Sequence, residues 1–413
     1  MIRFVHTADI HFGVENYGKI DPETGIHTRL LDFNKALNAC IDVAIEQEVD
    51  FFLFAGDAYK TAHPSPTQQQ LLMKCFLRLH EANIPTISII GNHDNPLSFG
   101  KASALDVFGD VPLPTMYVVS KPRIIQLKTK NGPVNIVGIP WPTRNTISIS
   151  KEHLSKSAEE ITSYITRSVI AIIQNLAQQL DPSIPAVMAG HLTVSEGIFS
   201  GSEKRALLGT DPTFLPSHLA ISPFDYVALG HLHRHQNLNK NGHPPLVYSG
   251  SVERIDFGER KEEKGFCLVT IEAKGKTSYK FIPTPTRRFV QVECTLSANR
   301  DQTEQLLESL ADHDLRDTIV KIIYTLPPGQ RDTIDLYEIQ KACSQAHYIT
   351  GIIPIQQAEK RERRTSAMNV SMNTQELLET YLESQETLKK RKQDLLKQAL
   401  ELESSMHDDS KTP

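Results

Sequence analysis

Short apolar runs punctuate the chain from residue 1 to about 280: IRFV at 2–5, FFLF at 51–54, TISII at 86–90, NIVGI at 135–139, AVMA at 186–189 and YVAL at 226–229. Near-continuous apolar runs of this length suit strands covered on both faces. Between the first two, Leu30, Phe33, Leu37, Ile41 and Ile45 recur at helical spacing and predict an amphipathic helix over 30–46. A second helix is predicted over 66–82. Strand and helix alternating in this way predict an α/β sandwich with helices on both faces.

The rhythm changes at the Pro283-Thr284-Pro285-Thr286 break. Residues 288–296 alternate like a half-buried strand, 301–312 read as a helix, 318–326 as a strand and 333–346 as a helix, so a small α+β domain is expected over 284–356. Beyond it the chain turns polar. Over 374–404, Leu377, Leu378, Tyr381, Leu382, Leu388, Leu395, Leu396, Ala399 and Leu400 predict an amphipathic helix, broken near the charge run at 389–392. Its stripe is too large to leave in water, and the charged linker at 359–365 lets it reach a partner. The last nine residues are expected to be disordered. Three domains result: 1–283, 284–356 and 357–413.

Composition narrows the function classes. The chain has 413 residues, 39% apolar and 23% charged, an ordinary mix for a globular protein. No run of 18 apolar residues occurs, so no membrane span is expected. Lys and Arg number 44 against 49 Asp and Glu, a net charge of -5, which excludes a chain-wide basic field. Nucleic acid would have to be met by local basic patches or bound cations. The five cysteines (Cys40, Cys75, Cys267, Cys294, Cys343) are scattered without a CxxC, as expected of reduced thiols in a cytoplasmic protein. The N-terminus reads as a strand and not as a signal peptide.

The chemistry sits where the apolar runs end. The first stops at Asp9-Ile10-His11, the second at Gly56-Asp57, the third at Gly91-Asn92-His93-Asp94, the AVMA run at Gly190-His191 and the YVAL run at Gly230-His231-Leu232-His233. Ligands gather beyond the carboxyl ends of strands in open α/β sheets, so these loops are expected to converge. An Asp, His and Asn set without Cys suits Mn²⁺, Fe or Zn²⁺ at a catalytic centre. Seven ligands (Asp9, His11, Asp57, Asn92, His191, His231, His233) exceed the need of one ion and suit two, about 4 Å apart and bridged by a carboxylate. Two divalent ions outweigh the charge of Asp9 and Asp57, and the surplus favours a phosphate ester under attack. His93 is the natural general acid for the leaving oxygen, and Asp94 could orient its ring. The glycines are expected to let the chain turn sharply.

These five motifs resemble those of the calcineurin-like metallophosphoesterases. Within that superfamily, the run Ser249-Gly250-Ser251-Val252-Glu253-Arg254-x-x-Phe257-Gly258-Glu259-x-x-x-x-Lys264-Gly265-Phe266 is similar to a signature of the Mre11/SbcD DNA-repair nucleases, closest to the bacterial SbcD branch. The resemblance implies a four-layer α-β-β-α sandwich, followed by a capping domain and C-terminal helices that bind an SMC-like ATPase of the SbcC or Rad50 type. It implies one Mn²⁺ on Asp9, His11, Asp57 and His233 and a second on Asp57, Asn92, His191 and His231, with other divalent ions possible. His93 would be catalytic and Asp94 its partner. It also implies a homodimer acting on DNA ends. One departure is visible: archaeal and eukaryotic members carry a His three residues after the second-motif Asp, where this chain has Lys60. Lys60 could meet a phosphate as a point charge. Arg254, Arg260, Lys261 and Lys264 form a basic cluster that could contact DNA, although Glu253, Glu259, Glu262 and Glu263 lie among them. A phosphoesterase of the same fold acting on a small phosphodiester or a phosphoprotein is the alternative reading.

Overall fold

The computed structural model describes residues 1–96, 101–110, 114–143, 157–201, 211–356, 374–384, 388 and 391–408. The charged linker expected at 359–365 lies outside the described residues. In chain order the elements are β1 (Ile2–Thr7), α1 (Thr28–Glu46), β2 (Phe51–Phe54), α2 (Pro66–Glu81), β3 (Thr86–Ile89), α3 (Asp106–Asp110), β4 (Met116–Val119), β5 (Arg123–Thr129), β6 (Gly132–Ile139), α4 (Ala158–Gln178), β7 (Ala186–His191), β8 (Thr193–Val194) and β9 (Thr213–Phe214). There follow α5 (Pro216–Leu219), β10 (Tyr226–Gly230), β11 (Gln236–Asn237), β12 (Leu246–Tyr248), β13 (Gly265–Ala273), β14 (Lys276–Pro283), β15 (Phe289–Thr295), α6 (Gln302–Ala311), β16 (Ile319–Leu326), α7 (Leu336–Ala342), β17 (Tyr348–Gln356), α8 (Thr374–Ser384) and α9 (Lys392–Asp408).

Two six-stranded sheets form the sandwich, in the orders β14-β13-β1-β2-β3-β4 and β11-β12-β10-β7-β6-β5. The period-2 rule explains why the central strands are apolar throughout. Phe4, Phe51 and Leu53 point between the sheets, against Ile136, Val187 and Val247. Their neighbours Val5, Phe52 and Phe54 point outward onto Phe33, Leu37 and Ile41 of α1 and Leu72 and Phe76 of α2. On the far side Val137, Met188 and Val227 meet Ile161, Ile165 and Val169 of α4. Each such side chain contributes roughly 1.5–3 kcal/mol by burial, and the result is the expected four-layer α-β-β-α order. Helix starts follow from local chemistry: Ser65 with Gln68 and Ser157 with Glu160 form capping boxes before α2 and α4.

Strands β1 to β4 run parallel, as do β6, β7, β10 and β12. The chemistry-bearing loops therefore leave each sheet from one end. β13 and β14 extend the first sheet antiparallel, a pairing their apolar pattern did not announce.

By packing the chain forms two compact units. One holds residues 1–293, 307–323 and 335–353, and the other 294–306, 324–334 and 354–413. A third sheet has the order β15-β16-β17. In the second unit α8 and α9 pack on each other, burying Leu382 and Leu396 while Tyr381 and Leu400 stay exposed. The expected break near 389–392 thus separates two helices. Residues 405–408, expected to be disordered, continue α9, and 409–413 lie outside the described residues. Among the described residues no helix is long and apolar enough to cross a membrane. No disulfide joins any of the five cysteines, and of them Cys294 alone is not buried.

Candidate metal centre

The five strand-end loops meet. Three groups, Asp9 with His11 and His233, His11 with Asp57 and His93, and Asp9 with Asp57 and His191, each bring one ligand atom per residue within 4.8 Å of one another. Asn92 joins them: its Oδ1 lies 3.0 Å from His191 Nε2 and 3.1 Å from His231 Nδ1. The backbone is bent to achieve this. Asp9 (φ 54), His11 (φ 52), Asp57 (φ 59) and His231 (φ 105) occupy left-handed conformations. Such positions cost about 1–3 kcal/mol each and cluster at functional sites. Loop-to-loop bonds hold them, with Asp9 N donating to Gly56 O at 2.9 Å and His11 N to Asp57 O at 3.1 Å.

The glycines divide between the expected sharp turn and close packing. Of those preceding the motif residues, only Gly56 has a positive φ (103). Gly91 is there for space: a Cβ on it would lie 2.1 Å from Asp57 Oδ1.

The ring nitrogens turned away from the centre fix those turned toward it. A carbonyl only accepts, so His191 Nδ1, 2.8 Å from Ala55 O, carries its hydrogen and leaves the Nε2 lone pair facing inward. His233 Nδ1 meets Glu259 Oε1 at 2.8 Å in the same sense. Toward the centre, His191 Nε2 faces Asp57 Oδ2 at 3.3 Å, and His233 Nε2 lies 3.1 Å from His11 Nε2, whose own Nδ1 has no hydrogen-bond partner among the described residues. A cation would satisfy these inward oxygens and lone pairs together, so the donor set fits divalent cations. Burial raises Asp9 to about 7. Burial would raise Asp57 as well, but the charge of His191 and its hydrogen bond hold it well below the usual carboxylate range. Asp57 in turn lifts His191 to about 9 against the effect of burial. A bound cation would take the place of that proton.

His93 stands at the edge of the cluster, partly exposed like Asn92, where the other six ligands are buried. Its Nδ1 lies 2.8 Å from Lys60 O, and its ring meets the His11 ring edge-on at 4.9 Å. Asp94 is not its partner, contrary to expectation. The Asp94 carboxylate turns back into the protein and accepts from the backbone N–H groups of Asp57, Tyr59 and Gly91 at 2.8, 3.1 and 3.1 Å. It builds the second-motif loop and leaves the His93 ring to a carbonyl.

The expected DNA contacts divide. Lys60 is exposed beside the centre, and Arg260 is partly exposed, donating to Phe257 O at 3.1 Å. Lys264 is internal, and Arg254, half-buried, is taken up by partners within the protein. Arg254 donates to Thr286 Oγ1 at 2.6 Å, Arg287 O at 3.2 Å and Glu262 O at 2.8 Å. Lys264 is buried against Glu259 at 2.9 Å. A charge run reads as solvated because Lys and Glu are rarely buried unless paired, and here they are paired.

Sequence reasoning missed Glu259 as the support of His233, and Trp141, whose ring lies 4.9 Å from the His231 ring at 35°. Trp141 is the only tryptophan. Mn²⁺ titration is therefore expected to change its fluorescence saturably and reversibly with EDTA, and His231→Asn should remove the response. Emission indifferent to Mn²⁺ would place the ion away from His231.

A profile described as calcineurin-like phosphoesterase matches residues 2–235. The chain belongs to this family. It is 27% identical over 293 residues to the D component of the nuclease SbcCD from Staphylococcus epidermidis, covering 70% of this chain and 72% of that protein. Among solved structures it is similar to TT1561 of Thermus thermophilus (16% identity, TM-score 0.38) and to a dimetal phosphatase from Danio rerio (11% identity, TM-score 0.39). Each covers 68% of this chain and 99% of the other. The family and the SbcCD relative bear out the resemblance read from the motifs. The chain is a metal-using phosphoester hydrolase.

Proposed function

We propose that this chain is a two-metal DNA phosphodiesterase, the nuclease subunit of an SbcCD-type complex that processes DNA ends and hairpins in double-strand break repair. The observation that carries the reading is the convergence of seven inward-facing ligands with His93 at their edge. Asp9, His11, Asp57 and His233 would hold one Mn²⁺, and Asp57, Asn92, His191 and His231 the second. Asp57 suits the bridge because its Oδ2 lies 3.6 Å from His11 Nε2 and 3.3 Å from His191 Nε2. When bound, such ions polarise a phosphoryl oxygen and acidify water. His93, fixed through Nδ1, keeps Nε2 for the leaving oxygen and as the imidazolium would hand it a proton. Lys60 and Arg260 stay in place to meet backbone phosphates, and residues 284–356 act as a cap that selects the substrate.

Purified protein given linear duplex DNA, with Mn²⁺ or with EDTA, tests this against bis(p-nitrophenyl) phosphate. Mn²⁺-dependent DNA cleavage supports it. Hydrolysis of the small diester with none of DNA favours the small-substrate reading. In a nuclease subunit of this type, α8 and α9 dock an SMC-like ATPase through Tyr381 and Leu400, and the protein works as a homodimer in the cytoplasm. Deleting residues 370–413 is then expected to leave Mn²⁺-dependent cleavage and thermal stability near normal while ATPase co-purification is lost. A truncated protein that unfolds many degrees lower would assign the helices to the chain's own core.

A further inference from the structure

His233 is held at two points by one buried ion pair. Glu259 Oε1 takes the ring Nδ1 at 2.8 Å, and Lys264 Nζ donates to the His233 main-chain oxygen at 2.9 Å. The pair closes on itself, with Lys264 Nζ 2.9 Å from Glu259 Oε2, while Ile255 N donates to the same oxygen at 2.9 Å. Both side chains are fully buried. We propose that Glu259 is a positioning residue for His233 as a metal ligand, with Lys264 as its buried counter-charge. This rests on the two-ion reading above.

Stability alone does not account for the pair. Replacing buried ion pairs by apolar groups is often neutral or stabilising. Here the carboxylate oxygen not given to Lys264 is spent on a ligand's ring. It keeps the hydrogen on Nδ1, aims the Nε2 lone pair at the centre and raises its basicity, an arrangement whose loss typically costs 10–100-fold in metal affinity.

The test is Mn²⁺ binding to the full chain, by calorimetry and by the electron paramagnetic resonance of free Mn²⁺, for wild type, Glu259→Gln and the neutral double variant Glu259→Gln with Lys264→Met. Wild type should take two ions. Glu259→Gln should bind one of them 10–100-fold more weakly and the other unchanged. The double variant, which leaves only the solvent-reachable Glu262 carboxylate, 3.0 Å from Lys264 Nζ in the native protein, without its cation, should fold and show the same single deficit, and it decides the matter if Glu259→Gln fails to fold. Wild-type affinity in either variant overturns the inference, as does equal loss of both ions in a folded protein. A wild type that takes up no Mn²⁺ overturns the two-ion reading, and the inference with it.

Discussion

His93→Ala should lose about 10²–10⁴-fold in DNA cleavage while keeping its metal. The ring is fixed by Lys60 O at 2.8 Å and is partly exposed, so its free nitrogen can reach a substrate oxygen. Alanine removes the proton donor but keeps the backbone N–H that binds Asp57 Oδ1 at 2.9 Å, so the neighbouring ligand is not released. A p-nitrophenolate leaving group departs without a proton, so bis(p-nitrophenyl) phosphate should suffer less than DNA. Parallel metal analysis and cleavage assays check this. Loss of the ions would make His93 a ligand, and near-normal turnover would remove it from the chemistry.

Asp57→Asn should be more damaging still. The carboxylate is buried and touches both sides of the centre, His11 on one and His191 on the other. Asparagine keeps the shape but removes the charge that both cations share. Depending on its flip, its NH₂ faces either the His93 N–H or the inward imidazole nitrogens. Both ions are expected to be lost and activity to fall to background, whereas His11→Asn or His233→Asn should weaken only one ion. Calorimetric titration with Mn²⁺ separates the cases. One ion intact in Asp57→Asn would assign the bridge to another residue.

Much of this site was legible before the fold was known. Five of the six apolar runs are followed at once by a ligand, so strand and chemistry are read together there; the run at 135–139 carries none. The helices α1 and α2 were equally plain, because capping and period are local properties of the chain. The left-handed turns at Asp9, His11 and Asp57 were not legible, since nothing in a short polar loop states its dihedral angles.

The charged residues after the last motif are where sequence alone misled. Lys264 and Arg254 read as solvated or DNA-facing, and Asp94 as the neighbour of the histidine beside it. Their partners are far away in sequence: Glu259 reaches His233 across 26 positions and Lys264 reaches its carbonyl across 31, while Asp94 binds amides 35 to 37 positions back. Sequence determined which strands form and which side chains end them, because burial and periodicity act residue by residue. Tertiary structure alone decided which charges are buried and whom they serve, because a buried charge is tolerable only beside a partner that the chain brings there by folding.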